Sequence, residues 1–242
     1  MPSKTFQELD HQSTPIGDIT LRRRRYPATG DRDIYEVKLG EEFLMSSLFV
    51  AAEEALADLG IAAAVGEELN VVVGGLGLGH TAHAALQSSR VAQLRVIEYL
   101  PPVIRWHEQG LVPLGEALTS DSRCQLILGD FFARAVDAGT GFDAANPGLR
   151  YDAILLDIDH TPDLLLNAQN GEFYNQAGLS AMTRQLQPEG VFGLWSDTAV
   201  PEFEALLATL FQSVEAHEVR FDNPFQPGRS SSNWVYVARG VL

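Results

Sequence analysis

The sequence is poor in the residues and segments on which secreted and membrane proteins depend. It contains one cysteine, Cys124, so no disulfide can form within the chain, and this usage is typical of a reducing compartment. Cys124 lies in an apolar run, which favours a core position over a nucleophilic role. No apolar run reaches the roughly 20 residues of a membrane-spanning helix, and the opening MPSKTFQELDHQ lacks the apolar stretch of a signal peptide. We therefore expect a cytoplasmic protein without a membrane partner.

Basic residues are also scarce, and the chain has a strongly acidic balance. It carries 17 Lys and Arg against 32 Asp and Glu, for a formal net charge of -15. Such a surface repels phosphate groups and attracts cations, so we expect no nucleic acid partner. The exception is the run Arg22–Arg25, whose side chains would alternate between the two faces of a strand. This pattern favours a solvated hairpin over an anion site.

The N-terminal region has the pattern of a small antiparallel unit. Strand-like segments at 16–26 and 33–40 flank the turn formers PATGDR, which predicts a β-hairpin. The segment 41–60 has apolar residues at helical spacing and ends in a glycine, which predicts a helix with Gly60 just beyond it. We expect an N-terminal β-hairpin region at 1–40 and a second domain at 41–242.

From residue 69 onward, strand-like and helix-like segments alternate. The candidate strands are LNVVVG, LRVIEY, CQLILGD, YDAILLDID and GVFGLWSD, and the candidate helices are HTAHAALQSS, PPVIRWHEQG, FFARAVDA, GEFYNQAGLSAMTRQLQ and PEFEALLATLFQ. Nearly continuous apolar strands separated by helices predict a parallel sheet covered on both faces, an α/β fold. The last two strands, VEAHEVRFD and NWVYVARG, flank a Pro/Gly/Ser-rich loop and predict an antiparallel hairpin at the sheet edge. The segment 137–150 is expected to be a surface loop.

A glycine-rich turn follows the first of these strands. Four of residues 74–79 are glycine in VVVGGLGLGH. The GxGxxA phase at 77–82 fits a dinucleotide fingerprint, whereas GxGxG at Gly75, Gly77 and Gly79 fits the strand end better and is typical of S-adenosylmethionine-binding folds. Glu98 ends the next strand, 19 residues after Gly79, which is close to the spacing at which a carboxylate binds ribose hydroxyls. A glycine turn with no ligand is the alternative.

Further carboxylates follow the later strands, at the edge where open parallel sheets bind ligands. Asp130 is placed to contact an adenine amino group, to cap the helix beginning FFARA, or to do both. The segment LLDIDHTP brings Asp157, Asp159 and His160 to this edge, where they can hold an amine and remove its proton. The alternative is that the two aspartates cap the following turn and that His160 is solvated. We expect no metal, because there is no second cluster of ligands.

With these residues in place, the sequence resembles the spermidine synthase family over most of its length. GGLGLG is similar to the glycine loop of the family, Glu98 to its ribose-binding Glu, Asp130 to its adenine-contacting Asp, and Asp157 to its catalytic Asp. GEFYNQAGL, with Tyr174, is similar to a downstream substrate-binding segment. The resemblance implies a Rossmann-like methyltransferase fold preceded by a β-region. It also implies transfer of an aminopropyl group from decarboxylated S-adenosylmethionine to an amine acceptor.

Two positions depart from the family pattern. The loop aspartate that holds the aminopropyl amine falls on Gly77, and the second aspartate of the catalytic motif falls on His160, beside Asp159. The Tyr and Gln contacts to the diamine have no clear counterpart. The leading hypothesis is a transferase with catalytic Asp157, substrate contacts from Asp159, His160 and Tyr174, and a homodimeric assembly. The alternatives are a methyltransferase that uses S-adenosylmethionine itself and a non-catalytic nucleotide-binding homologue.

Overall fold

The N-terminal part of the chain is a four-stranded antiparallel sheet rather than a single hairpin. The computed structural model describes residues 5–242, so the first four residues of the predicted N-terminal region lie outside the described residues. The strands follow one another in the order β1-β2-β3-β4. Their bounds are Phe6–Thr14 (β1), Gly17–Arg25 (β2), Asp33–Leu39 (β3) and Glu42–Ser46 (β4). The predicted hairpin is confirmed as β2 and β3. The N-terminal sheet continues to Ser46, and the domain boundary at residue 40 stays a prediction.

The arginine run lies on β2 and is paired within this sheet. The side chains alternate as expected, because Arg22 and Arg24 both reach Glu36, at 2.6 and 3.2 Å. On the other face Arg25 pairs with Asp33, at 2.5 Å. The structure therefore confirms the hairpin interpretation, with the charges of the run compensated by acidic neighbours on β3.

The prediction of one helix over 41–60 is wrong. The segment contains β4 and then a helix, α1, at Ala51–Ala63. Gly40 has φ +56° and forms a tight turn, so that the chain folds back and β4 pairs with β3. The apolar residues of 43–50 fit a strand or a helix equally well, and pairing with β3 decides between them.

Gly60 lies inside α1 and not beyond its end. A Cβ at this position would lie 2.5 Å from Cδ2 of Leu155 in the central sheet. The glycine therefore allows α1 to pack closely on the sheet, which outweighs its low helix propensity.

The second part of the chain is a seven-stranded sheet in the order β10-β11-β9-β8-β5-β6-β7. The five strands from β9 to β7 in this order are parallel, and β10 and β11 form the antiparallel hairpin that the sequence predicts at the edge. The strand bounds are Leu69–Gly74 (β5), Val91–Glu98 (β6), Cys124–Leu128 (β7), Tyr151–Leu156 (β8), Leu186–Ser196 (β9), Phe211–Asp222 (β10) and Ser230–Val241 (β11). Strand β5 pairs with β6 on one side and with β8 on the other. The strand order reverses between these two sides, so the switch point of the sheet lies between β5 and β8.

Helices cover both faces of this sheet, and the predicted α/β class is confirmed. Their bounds are His80–Gln87 (α2), Pro101–Glu108 (α3), Gly115–Ser120 (α4), Phe131–Val136 (α5), Gln176–Thr183 (α6) and Pro201–Leu207 (α7). Alternate residues of β5 lie on opposite faces of the sheet. Val71 and Val73 belong to the core formed with α1, α2 and the N-terminal sheet, and Val72 belongs to the core formed with α5, α6 and α7. The helix α4 and the 3-10 turn Ala168–Glu172 were not predicted. The helix predicted over 171–187 is shorter in the structure, because its start lies in this turn and β9 begins at Leu186.

No helix within residues 5–242 is long and apolar enough to cross a membrane. The lone thiol, Cys124, packs against the core, and burial raises its pKa to about 12. It therefore stays protonated at neutral pH, which agrees with a packing role.

Candidate functional site

A cavity of about 580 Å³ lies at the carboxyl ends of the parallel strands, beneath the N-terminal sheet. Its volume is within the range of small-molecule sites, roughly 300 to 1,000 Å³. Five acidic side chains line it, and no Lys or Arg of the described residues does. The acidic residues are Glu53, Glu98, Asp130, Asp157 and Glu172. The cavity therefore offers charge compensation for cations.

The glycine loop forms one wall and needs glycine at its strained positions. Gly75, Gly77 and Gly79 all have positive φ, at +91°, +48° and +91°. A Cβ on Gly75 would collide with the backbone carbonyl of Asp157, so the loop passes directly against the end of β8. Gly75 and Gly77 line the cavity, and the loop leads into the N-terminus of α2. A loop of this shape brings backbone close to a bound molecule.

Glu98 is buried at the end of β6 and is tied to the glycine loop. Its Oε2 accepts from the Leu76 amide at 3.0 Å, and its Oε1 accepts from the Leu100 amide at 2.7 Å. Burial raises the pKa of Glu98, against the lowering effect of these backbone hydrogen bonds. The Gly77 and Tyr99 amides lower this pKa as well, so the backbone surrounds a carboxyl group that also lines the cavity.

Asp130 lies at the edge of the cavity and caps α5. Its Oδ1 accepts from the Ala133 amide at 3.1 Å, as expected for an N-cap aspartate. The side chain is exposed and lines the cavity beside Phe131 and Phe132. The capping role is confirmed, and the predicted adenine contact stays a prediction compatible with it.

Asp157 follows β8 and is held by one hydroxyl group. Thr81, in the first turn of α2, donates to its Oδ2 at 2.6 Å. Burial raises the pKa of Asp157 to about 6, although the Thr81 hydrogen bond acts in the opposite direction. A carboxylate with a pKa near 6 is a stronger base than an ordinary aspartate and is still largely ionised at pH 7.

Asp159 and Tyr174 lie behind the cavity wall and bind one another. Asp159 is 3% exposed, and its oxygens accept from the Leu166 amide, the Asn170 amide nitrogen and the Tyr174 hydroxyl at 2.7 to 3.0 Å. Neither Asp159 nor Tyr174 lines the cavity. In this structure they order the loop between β8 and α6, and the predicted contact with a substrate stays a prediction that would need this network to open.

His160 joins the two sheets at the cavity rim. Its Nε2 lies 2.8 Å from Oε1 of Glu42 in β4, and its side chain lines the cavity. The same strand places Met45 over the glycine loop, since a Cβ on Gly77 would lie 2.5 Å from the Met45 Sδ. The space that an aspartate would enter from position 77 is therefore filled by a thioether.

The residues that line or support the cavity and were not predicted include Glu53, His80, Thr81 and Glu172. The signal for Glu53 was present in α1, because it shares a helix face with the buried residues Leu56 and Gly60. A carboxylate on the buried face of a helix is a candidate site residue. Burial, followed by repulsion from nearby imidazoles, lowers the pKa of His80 to about 4, so it is a neutral cavity residue.

No family model matches the sequence. The solved structures provide the comparison. A crystal structure of spermidine synthase in complex with the transition-state analogue AdoDATO matches 98% of this chain and 75% of that chain, with a TM-score of 0.73 and 14% sequence identity. Spermidine synthase from Thermotoga maritima matches 98% of this chain and 73% of that chain, with a TM-score of 0.70 and 13% identity. The chain, from its N-terminal sheet to its C-terminal hairpin, has a spermidine synthase-like fold.

Proposed function

We propose that this protein transfers an aminopropyl group from decarboxylated S-adenosylmethionine to an amine acceptor. The observation that carries the proposal is the lining of the cavity, with five carboxyl groups and no Lys or Arg among the described residues. A sulfonium and an ammonium are both cations and find partners there. A carboxylate on the donor would find no basic side chain to pair with, which favours the decarboxylated form.

The nucleoside portion of the donor is assigned to the side of the cavity formed by β5, β6 and β7. The glycine loop approaches the ligand with its backbone, Glu98 accepts from the ribose hydroxyls, and Asp130 accepts from the adenine amino group. Phe131 and Phe132 line the same side and offer an apolar surface to the base. This assignment rests on the resemblance in sequence and on the positions of these side chains around one cavity.

Asp157 is the proposed base. The acceptor ammonium gives a proton to the carboxylate, and the neutral nitrogen then forms a bond to the donor carbon beside sulfur. The carbon–sulfur bond breaks and its electron pair stays on sulfur, which leaves a neutral thioether. The chain contributes orientation and proton removal, since a sulfonium is already a good leaving group.

Methyl transfer from S-adenosylmethionine is the second candidate, and Gly77 is the observation that favours it. The residue that the spermidine synthase pattern would use to hold the aminopropyl amine is absent, and Met45 fills the adjoining space. An aminopropyl donor would then depend on other carboxyl groups of the cavity for its terminal ammonium.

The nucleoside product separates the candidates. The protein is incubated with either donor and a set of amines, and the products are identified by mass spectrometry. Methylthioadenosine together with an aminopropylated amine supports the proposal, whereas S-adenosylhomocysteine together with a methylated amine supports the second candidate. Absence of both products, with every donor and amine, would contradict both and favour a non-catalytic binding protein.

A further inference from the structure

Glu53 is a buried carboxyl group whose one hydrogen-bond donor within the range 5–242 is its own backbone amide. It is 7% exposed in the first turn of α1 and accepts no hydrogen bond from another residue of that range. It lines the cavity, together with Asp157. Burying a carboxyl with so little hydrogen bonding costs free energy, and a cation bound in the cavity would offset this cost.

Glu53 and Asp157 influence each other's charge. Burial first, and repulsion by Asp157 second, raise the pKa of Glu53 to about 8. Asp157 ionises near pH 6, so the two carboxyls together hold about one proton and one negative charge at pH 7. The other titratable groups that line this part of the cavity are the neutral His80 and the rim residue His160, while the exposed Glu54 adds the smallest repulsion from outside it. The pair therefore offers one negative charge before a ligand binds, and a second one once Glu53 loses its proton.

Part of the cavity wall is apolar. The side chains that the N-terminal sheet and its first turn contribute to the cavity carry no polar group. They are Ile16, Ile19, Val37, Leu44 and Met45. A second ammonium directed toward these side chains would lose its water without gaining a partner.

We propose that Glu53 and Asp157 jointly bind the single ammonium group of an acceptor whose remaining body is apolar, and that Glu53 releases its proton to solvent when this amine binds. The inference rests on the proposed function in taking this part of the cavity as the acceptor site. It adds a specificity-determining residue and a substrate class, a monoamine with an apolar chain in place of a diamine.

Calorimetric titration tests the proposal without turnover. Hexylamine and 1,6-diaminohexane, which have the same chain length, are titrated at pH 7 with and without saturating methylthioadenosine. Two buffers of different ionisation enthalpy then give the number of protons released. We expect hexylamine to bind at least about tenfold more tightly than the diamine and to release about one proton.

Matched variants of neighbouring residues identify the source of the proton. Glu53→Gln should bind hexylamine about tenfold more weakly and without proton release, because one carboxylate is lost. Glu54→Gln, an exposed change on the same helix, should behave like the wild type. If Glu53→Gln does not fold, the proton count and the amine preference of the wild type still test the proposal.

Three outcomes would overturn it. These are equal or tighter binding of the diamine, proton release unchanged in Glu53→Gln, and failure of hexylamine to bind with or without methylthioadenosine. Binding of methylthioadenosine without amine binding would reject this inference and leave the nucleoside part of the proposed function intact. Amine binding with proton release but no nucleoside binding would reject the proposed function instead.

Discussion

The two halves of the cavity differ in how closely they follow the spermidine synthase pattern. On the nucleoside side, Glu98 holds the glycine loop, and Asp130 caps the next helix beside two phenylalanines. On the amine side, Gly77 carries no carboxylate and Met45 covers it. Under the proposed function, this contrast predicts that the adenosyl part of the donor is retained while the groups that hold the amines have changed. Variants in each half of the cavity test this contrast.

The largest effect is expected at the junction of the two halves. Asp157→Asn removes the proposed base, so turnover should fall roughly a hundredfold to ten-thousandfold. Binding of methylthioadenosine, measured by calorimetry, should stay nearly unchanged, because the assigned nucleoside contacts lie elsewhere. Retention of wild-type turnover would remove Asp157 from the mechanism.

The nucleoside half is tested by Glu98→Gln. In this variant the new side-chain NH2 group would lie against the backbone N–H of Leu76 or of Leu100. Since both groups are donors, one charge-assisted hydrogen bond to the backbone would be lost. We expect a loss of about 1.5 to 3 kcal/mol in methylthioadenosine binding, or roughly 10- to 150-fold in Kd. Glu116→Gln, an exposed change in α4, is the control. A Glu98 variant that folds and binds with wild-type affinity would contradict the assignment.

The amine half is tested by restoring the missing carboxylate. Gly77→Asp alone should destabilise the protein, because its Cβ would lie 2.5 Å from the Met45 Sδ. In the background of Met45→Ala the Cβ has space, and aspartate tolerates the φ of +48° better than most residues. The restored carboxylate should favour decarboxylated S-adenosylmethionine, whose aminopropyl amine it would hold, by about tenfold relative to Met45→Ala alone. The readout is the ratio of Kd values for decarboxylated S-adenosylmethionine and methylthioadenosine, which lacks that amine. An unchanged ratio would show that position 77 does not bind the donor amine.

The smallest effect concerns stability against pH. The folded pKa of Glu53 is raised to about 8, so the folded state holds a proton that the unfolded chain releases above its ordinary value near 4.5. The free energy of unfolding should therefore fall as pH rises from about 4.5 toward 8 and level off above it, and Glu53→Gln should remove about 1 kcal/mol of that fall between pH 7 and 8. Urea unfolding at several pH values measures this, with Glu54→Gln as the control. Parallel curves for the wild type and Glu53→Gln would contradict the burial of this carboxyl.

The nucleoside half was the more predictable from sequence, and topology explains why. Apolar runs separated by helices indicate parallel strands, and the residues that follow such strands must meet at one edge. Glu98, Asp130 and Asp157 therefore come together without knowledge of any long-range packing. Their spacing along the chain was sufficient.

The amine half depends on packing between the two sheets, which local patterns do not report. Met45 was predicted within a helix, and only its pairing on β4 brings it over Gly77. Asp157 and Asp159 both follow Leu156, where β8 and its strict alternation end, so the pattern alone did not show which of them faces the cavity. The position of Glu53 on the buried face of α1 was a usable signal. It was missed because acidic residues are common in the first turn of a helix, where Glu53 and Glu54 both lie.

The central claim is that the cavity binds an adenosyl sulfonium that carries no carboxylate. Calorimetric titration with decarboxylated S-adenosylmethionine, S-adenosylmethionine and methylthioadenosine tests it most directly. The account predicts that the decarboxylated form binds more than tenfold more tightly than S-adenosylmethionine, a difference above about 1.4 kcal/mol. Preference for S-adenosylmethionine, or no binding of any of the three, would contradict it.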